Sequence, residues 1–259
     1  MRMAVLGSGS GGNAVVIEVG GSRLLVDAGL SAKQLCLRME MLGVDPGSLD
    51  GILLSHEHGD HVRGLDVFLR KHRTPVFATA MTREIVAERL RDRVEWRLFQ
   101  HGQRFAVGMI EVHAFAVPHD AVDPVGFVCA EGEVRVGVAT DLGYITGLVR
   151  EELRGVRGLF LESNYDEVLL EQDLKRPWGT KQRIASRHGH LSNTQAVELV
   201  AHLVEHGLEE VVLGHLSSDC NCPKIASQAV RAAVERVNVN VAPQDTPTGW
   251  VEFAPPLPT

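Results

Sequence analysis

The sequence predicts an α/β domain in which mixed sheets carry helices on both faces. Short β-branched apolar runs alternate with amphipathic segments through both halves of the chain, and turn residues separate them. No Pro/Gly/Ser-rich linker, repeat or low-complexity segment breaks the pattern across 259 residues. A chain with 44% hydrophobic and 23% charged residues can bury a full core. One domain spanning residues 1–259 is therefore expected, with residues 254–259 forming a Pro-rich frayed tail. The chain opens on strand-like Met3-Ala4-Val5-Leu6 rather than a signal peptide, and no apolar run approaches a membrane span. A cytoplasmic protein without membrane contact is the expectation.

The first strand runs into Gly7-Ser8-Gly9-Ser10-Gly11-Gly12, which satisfies the spacing of a dinucleotide-binding turn. The next residues, Asn13-Ala14-Val15-Val16-Ile17, form a strand rather than the helix whose N-terminus would hold a pyrophosphate. The glycines instead read as a tight bend or a close backbone approach at the rim of a site. A hairpin over 14–19 and 23–27 turns through Gly20-Gly21-Ser22. A helix over 31–42 is capped by Ser31 and closed by Gly43. Strands are expected at 51–54, 76–78, 109–117, 125–130 and 134–139, with helices at 65–71 and 82–91. The second half continues with strands at 158–161, 211–214, 239–242 and 250–253 and helices at 194–205 and 224–236.

Chemistry concentrates directly after the apolar run Gly51-Ile52-Leu53-Leu54. His56-Glu57-His58-Gly59-Asp60-His61 places three imidazoles and an aspartate within six residues. These are ligand types that zinc, manganese and iron accept, and a tight loop can aim alternate side chains at two neighbouring ions. Three further candidates stand at strand ends: His119 after Val117-Pro118, Asp141 after Val138-Ala139-Thr140, and His215 after Leu213-Gly214. Four scattered cysteines exclude a disulfide framework. Cys220 and Cys222 form a C-x-C pair near His215, but no second pair supplies the remaining ligands, so core or loop thiols are the reading. No nucleophile elbow or Cys-His context supports serine or cysteine catalysis.

The ordered set Asp27, His56 to His61, His119, Asp141 and His215 resembles the signature of the metallo-β-lactamase-fold hydrolases across nearly the whole chain. The resemblance implies a four-layer αββα sandwich with the site along one edge of two sheets. It implies two divalent ions, zinc or manganese: His56, His58 and His119 hold one, Asp60, His61 and His215 the other, and Asp141 bridges them. Asp27 orients a ligand histidine. A histidine at position 58 favours the hydrolytic branch over di-iron redox relatives. The glycine-rich start, Pro118-His119-Asp120-Ala121, Asp123-Pro124-Val125-Gly126 and His215-Leu216-Ser217 resemble the YycJ/WalJ group, described as DNA exonucleases.

Gly189-His190-Leu191-Ser192 is similar to an element of phosphodiesterase members in which the histidine faces the scissile phosphate. Independently, Ser192 and Gln195 form a capping box, so His190 stands just before a helix N-terminus, where positive potential favours an anion. His190 and Asp60 are the catalytic candidates: one stabilises the phosphoryl group or its departing 3′-oxygen, the other orients the nucleophile. Residues 174–191 carry Lys175, Arg176, Lys181, Arg183 and Arg187 without an acid, although the chain's net charge is −7. Lys181, Arg183, Arg187, Trp178 and Ser192 are the candidate substrate contacts of a basic loop tracking a phosphate backbone. Metal-assisted hydrolysis of a nucleic acid, DNA before RNA, is the expected function, 5′-to-3′ by resemblance. A small-molecule hydrolase acting on a short phosphodiester or thioester, and a metal-dependent binding protein without turnover, remain as alternatives.

Overall fold

The computed structural model describes residues 1–91 and 93–254. The expected tail falls mostly outside them. Two seven-stranded sheets form the centre. In the first, β1 (Arg2–Gly7), β2 (Ala14–Val19) and β3 (Ser22–Val26) are antiparallel, and β4 (Gly51–Leu53), β5 (Val76–Ala78) and β6 (Trp96–Leu98) continue parallel to β3. In the second, β7 (Arg104–Val107), β8 (Ile110–Ala116), β9 (Val125–Glu131) and β10 (Val134–Ala139) are antiparallel, and β11 (Gly158–Glu162), β12 (Glu210–Gly214) and β13 (Asn238–Val241) run parallel to β10. The short β14 (Val251–Glu252) closes the first sheet against β1.

Side-chain alternation sorts the residues into layers. Val15, Ile17, Leu24 and Val26 of the first sheet meet Phe127, Val136, Phe160 and Val212 of the second in one buried layer. Their neighbours Val16 and Leu25 turn outward onto α1 (Ala32–Met41) and α3 (Leu65–Lys71), through Leu35, Met39 and Phe68. Leu159, Leu161, Val211 and Leu213 turn outward onto α5 (Gly147–Glu152), α8 (Asn193–Val204) and α9 (Pro223–Ala233). The expected four-layer αββα sandwich is what this period-two pattern builds. Ser31 caps α1 by accepting from Gln34, and Gly43 has the left-handed φ of 73° that ends that helix. Among the described residues no helix is long and apolar enough to cross a membrane.

The sheets bring strand ends to one rim. Asp27 follows β3, Asp141 follows β10 and His215 follows β12. All three have left-handed backbones, with φ of 61°, 56° and 53°. Non-glycine residues held there cost about 1–3 kcal/mol each and persist where surrounding contacts impose them. The glycine-rich start is part of the same rim: a Cβ on Gly29 would lie 1.6 Å from the Asp60 carbonyl oxygen, and Gly29 N donates to Asn13 O. Gly29→Ala must therefore displace the loop that carries Asp60 and His61. We expect a fall in stability of roughly 3 kcal/mol or more, within the range of severe steric substitutions, read as a lowered denaturant midpoint.

Candidate metal centre

The ligand atoms are selected by what holds the opposite side of each ring. Asp27 Oδ2 lies 2.7 Å from His61 Nδ1 and also accepts from the Ser55 hydroxyl at 2.7 Å, so His61 Nε2 faces the centre. His119 Nδ1 donates to Gly189 O at 3.1 Å, again freeing Nε2. His56 has Ser55 Oγ 3.0 Å from Nδ1, whereas its Nε2 is buried without a hydrogen-bond partner. This anchoring fixes ring orientation, as metal-ligating histidines require.

Three groups of donors result. His56, His58 and His119 converge with ligand atoms within 4.8 Å of one another, as do His56, His61 and Asp141, and as do Asp141, Glu162, His190 and His215. His61 Nε2 and His215 Nε2 lie 3.7 and 3.6 Å from Asp60 Oδ2. Asp141 stands between the sets, with Oδ2 3.1 Å from His61 Nε2 and Oδ1 3.7 Å from His119 Nε2. The orphaned His56 nitrogen and this convergence of imidazoles around one carboxylate fit a dinuclear metal site. Cysteine plays no part: among the described residues none joins a convergent donor cluster.

Charge distribution follows from packing. Burial works against the imidazolium at His61, but Asp141 and Asp27 outweigh it and push the group up to about 10. At His215 burial is likewise overcome by Asp141 and by hydrogen bonds to Asp60 and Glu162, raising it well above the ordinary value. His56 and His119, where burial prevails, sit below the usual histidine range. Asp141 is held well below the carboxylate range because His215 and His61 overcome its burial. Metal binding needs neutral imidazoles. Loading at pH 7.5 should therefore expel protons from His61 and His215, about two per chain, and affinity should rise with pH. Titration calorimetry in buffers of different ionisation enthalpy measures the number.

Glu162, which ends the apolar β11, was not marked by the sequence. It is fully buried and accepts from His190 Nδ1 at 2.7 Å and His215 Nδ1 at 2.9 Å through one oxygen. Its other oxygen accepts from the backbone of Leu142 and Leu191. With both oxygens engaged, Glu162 orients the two rings and keeps His190 raised against burial. Asn13 carried no mark either; its amide lies 3.4 Å from Asp60 Oδ2 and 3.1 Å from His61 Nε2. A carboxylate closing an apolar strand, and an asparagine closing a glycine run, were the available signals.

The basic segment differs from the expected open loop. Residues 178–184 form α7 (Trp178–Ile184), and several cations of the segment are committed to acids or carbonyls. Lys175 pairs with Asp219 at 2.7 Å, Arg176 with Asp173 at 2.6 Å, and Arg183 with Asp120 at 2.6 Å. Of the expected contacts only Arg183 lines the metal cleft, joined there by Arg176. Lys181 and Trp178 line a separate groove, and Arg187 covers the Tyr144 ring at 4.6 Å. Ser192 is buried and its hydroxyl accepts from Gln195 N, so it caps α8, and it does not line the metal cleft. His190 does face the cleft, 3.6 Å from Asp141 Oδ1.

The model of the beta-lactamase superfamily domain matches residues 22–216. The chain belongs to that superfamily, as a metal-dependent hydrolase of the metallo-β-lactamase fold. It is 32% identical over 244 residues to the exodeoxyribonuclease YycJ of Bacillus anthracis, covering 93% of this chain and 92% of that protein. It is 30% identical to the exodeoxyribonuclease WalJ of Streptococcus pneumoniae over 93% of this chain and 90% of the other. In fold it is similar to zinc-bound PqqB from Methylobacterium extorquens, with a TM-score of 0.73 at 18% identity, covering 96% and 99% of the two chains.

Proposed function

We propose that the protein is a two-metal exonuclease that degrades DNA from its 5′ end. The observation that carries this reading is His190: anchored by buried Glu162, it stands beside the bridging Asp141 in an open cleft of about 300 Å³. Hydrolysis without a demanding leaving group has little use for such a residue, whereas departure of a 3′-alkoxide needs a proton or a positive charge. Three arginines are tied to loops that carry the site. Arg63 donates to Gly11 O, Arg89 to Glu57 O, and Arg183 to Asp120. Of these, Arg183 lines the cleft, and its charge there suits a polyanion, while the net charge of −7 limits indiscriminate binding. The similarity to two exodeoxyribonucleases over nine-tenths of their length supports DNA as the polymer.

His56, His58 and His119 would hold one ion, Asp60, His61 and His215 the other, and Asp141 both; zinc and manganese match the nitrogen-rich donors. When bound, such a pair supplies a nucleophile from water at neutral pH and positive charge against the phosphoryl oxygens. Asp60, steadied by Asn13, orients the attacking water. Arg183, aligned by Asp120, engages a phosphoryl oxygen. His190 Nε2 delivers the proton to the departing oxygen while Glu162 holds Nδ1. A cytoplasmic location is part of the same proposal.

Incubation with Mn²⁺ or Zn²⁺ and labelled duplex DNA, single-stranded DNA, RNA and bis(4-nitrophenyl) phosphate tests the reading. Progressive loss of a 5′ label from DNA is expected. Turnover of the chromogenic diester alone would make the protein a small-molecule hydrolase, and inertness toward all four would make it a binding protein.

A further inference from the structure

A second cavity, of about 280 Å³, lies on the other side of α7 from the metal cleft. Tyr165, Leu170 and Trp178 form its walls, and Glu167, Glu171 and Lys181 its edges. Trp178 is 69% exposed, on a helix that buries none of its side chains. A large ring displayed this way contributes nothing to the core.

The two cavities share a wall. Ile184 lines the metal cleft and packs against Tyr165 and Leu170, while its carbonyl accepts from His190 N at 2.9 Å. We infer that the groove takes an unpaired nucleobase of the strand whose phosphate occupies the metal cleft. This rests on the nuclease reading above. Every base presents a π face that stacks on an indole, so the site is tolerant of sequence, as an exonuclease needs. Glu167 and Glu171 at the edges repel a phosphodiester, so the backbone passes on the Arg183 side of α7 and only a base enters. Base amino and imino groups donate to those carboxylates. The Lys181 ammonium, which lines the groove, is fixed on Glu171 O at 2.7 Å.

The test compares metal-loaded wild type, Trp178→Ala and Trp178→Phe on a single-stranded oligodeoxynucleotide and on bis(4-nitrophenyl) phosphate. The quantity read is the ratio of kcat/KM for the two substrates, together with quenching of tryptophan emission on oligonucleotide binding. The ratio should fall roughly tenfold in Trp178→Ala, the scale of losing one stacked base, and recover in large part in Trp178→Phe. The quenching should disappear in both variants. If wild type degrades the oligonucleotide and both variants keep its ratio and its quenching amplitude, the groove has another occupant and the inference falls alone. If wild type turns over only the chromogenic diester, the nuclease reading fails and takes the groove assignment with it.

Discussion

Asp141→Asn should leave a folded protein that holds fewer metal ions and hydrolyses phosphodiesters on the order of a thousandfold more slowly, about 4 kcal/mol in barrier. The carboxylate touches four imidazoles at once: His61 at 3.1 Å, His215 at 3.3 Å, His190 at 3.6 Å and His119 at 3.7 Å. An amide keeps the volume but offers one oxygen and no charge, so it cannot bridge two donor sets. Removing the charge also takes from His61 and His215 one of the partners that raise them, so the rings lose their protons more readily. That change favours metal binding at each ring, yet loss of the bridge outweighs it because the second ion loses its shared ligand. Metal content after dialysis and rate on a chromogenic diester, measured on the same sample, give both numbers.

His190→Ala should separate metal binding from turnover. Its ring contacts Glu162 and faces the cleft, and the proposed ligand sets do not include it. Full metal content is expected, with kcat on DNA falling 10²- to 10⁴-fold, the usual contribution of a positioned acid. The loss on bis(4-nitrophenyl) phosphate should be much smaller, because nitrophenolate leaves without a proton. Equal losses on both substrates would mean that His190 holds the phosphoryl group rather than the leaving oxygen. Unchanged turnover of DNA would remove it from the mechanism.

The buried strands of the sheets and the candidate metal donors were legible in the sequence for the same reason: each donor segment follows a buried apolar strand. β4 and β12 announce His56 and His215 because both faces of those strands are covered. Elements without a buried face left no such trace. β6 and β7 are short edge strands with exposed positions, and α7 buries nothing, so its residues show no apolar period and read as a loop. Glu162 escaped notice because a single acid after Leu161 looks like a strand's polar end until the chain brings His190 and His215 over it. The pairing of Arg183 with Asp120 joins residues 63 positions apart, a contact that local charge counting cannot see. Local charge in residues 174–191 therefore overstated what is available to a phosphate backbone.

Seven side chains from four segments are taken to seat a pair of ions, and everything proposed for turnover depends on that pair. Elemental analysis of wild-type protein dialysed against Mn²⁺ or Zn²⁺ and then against buffer tests it most directly, with His58→Ala as the paired sample. Two ions per chain are expected in wild type and about one in the variant. A wild-type content of one or none, or a variant that binds as much as wild type, would contradict a dinuclear centre.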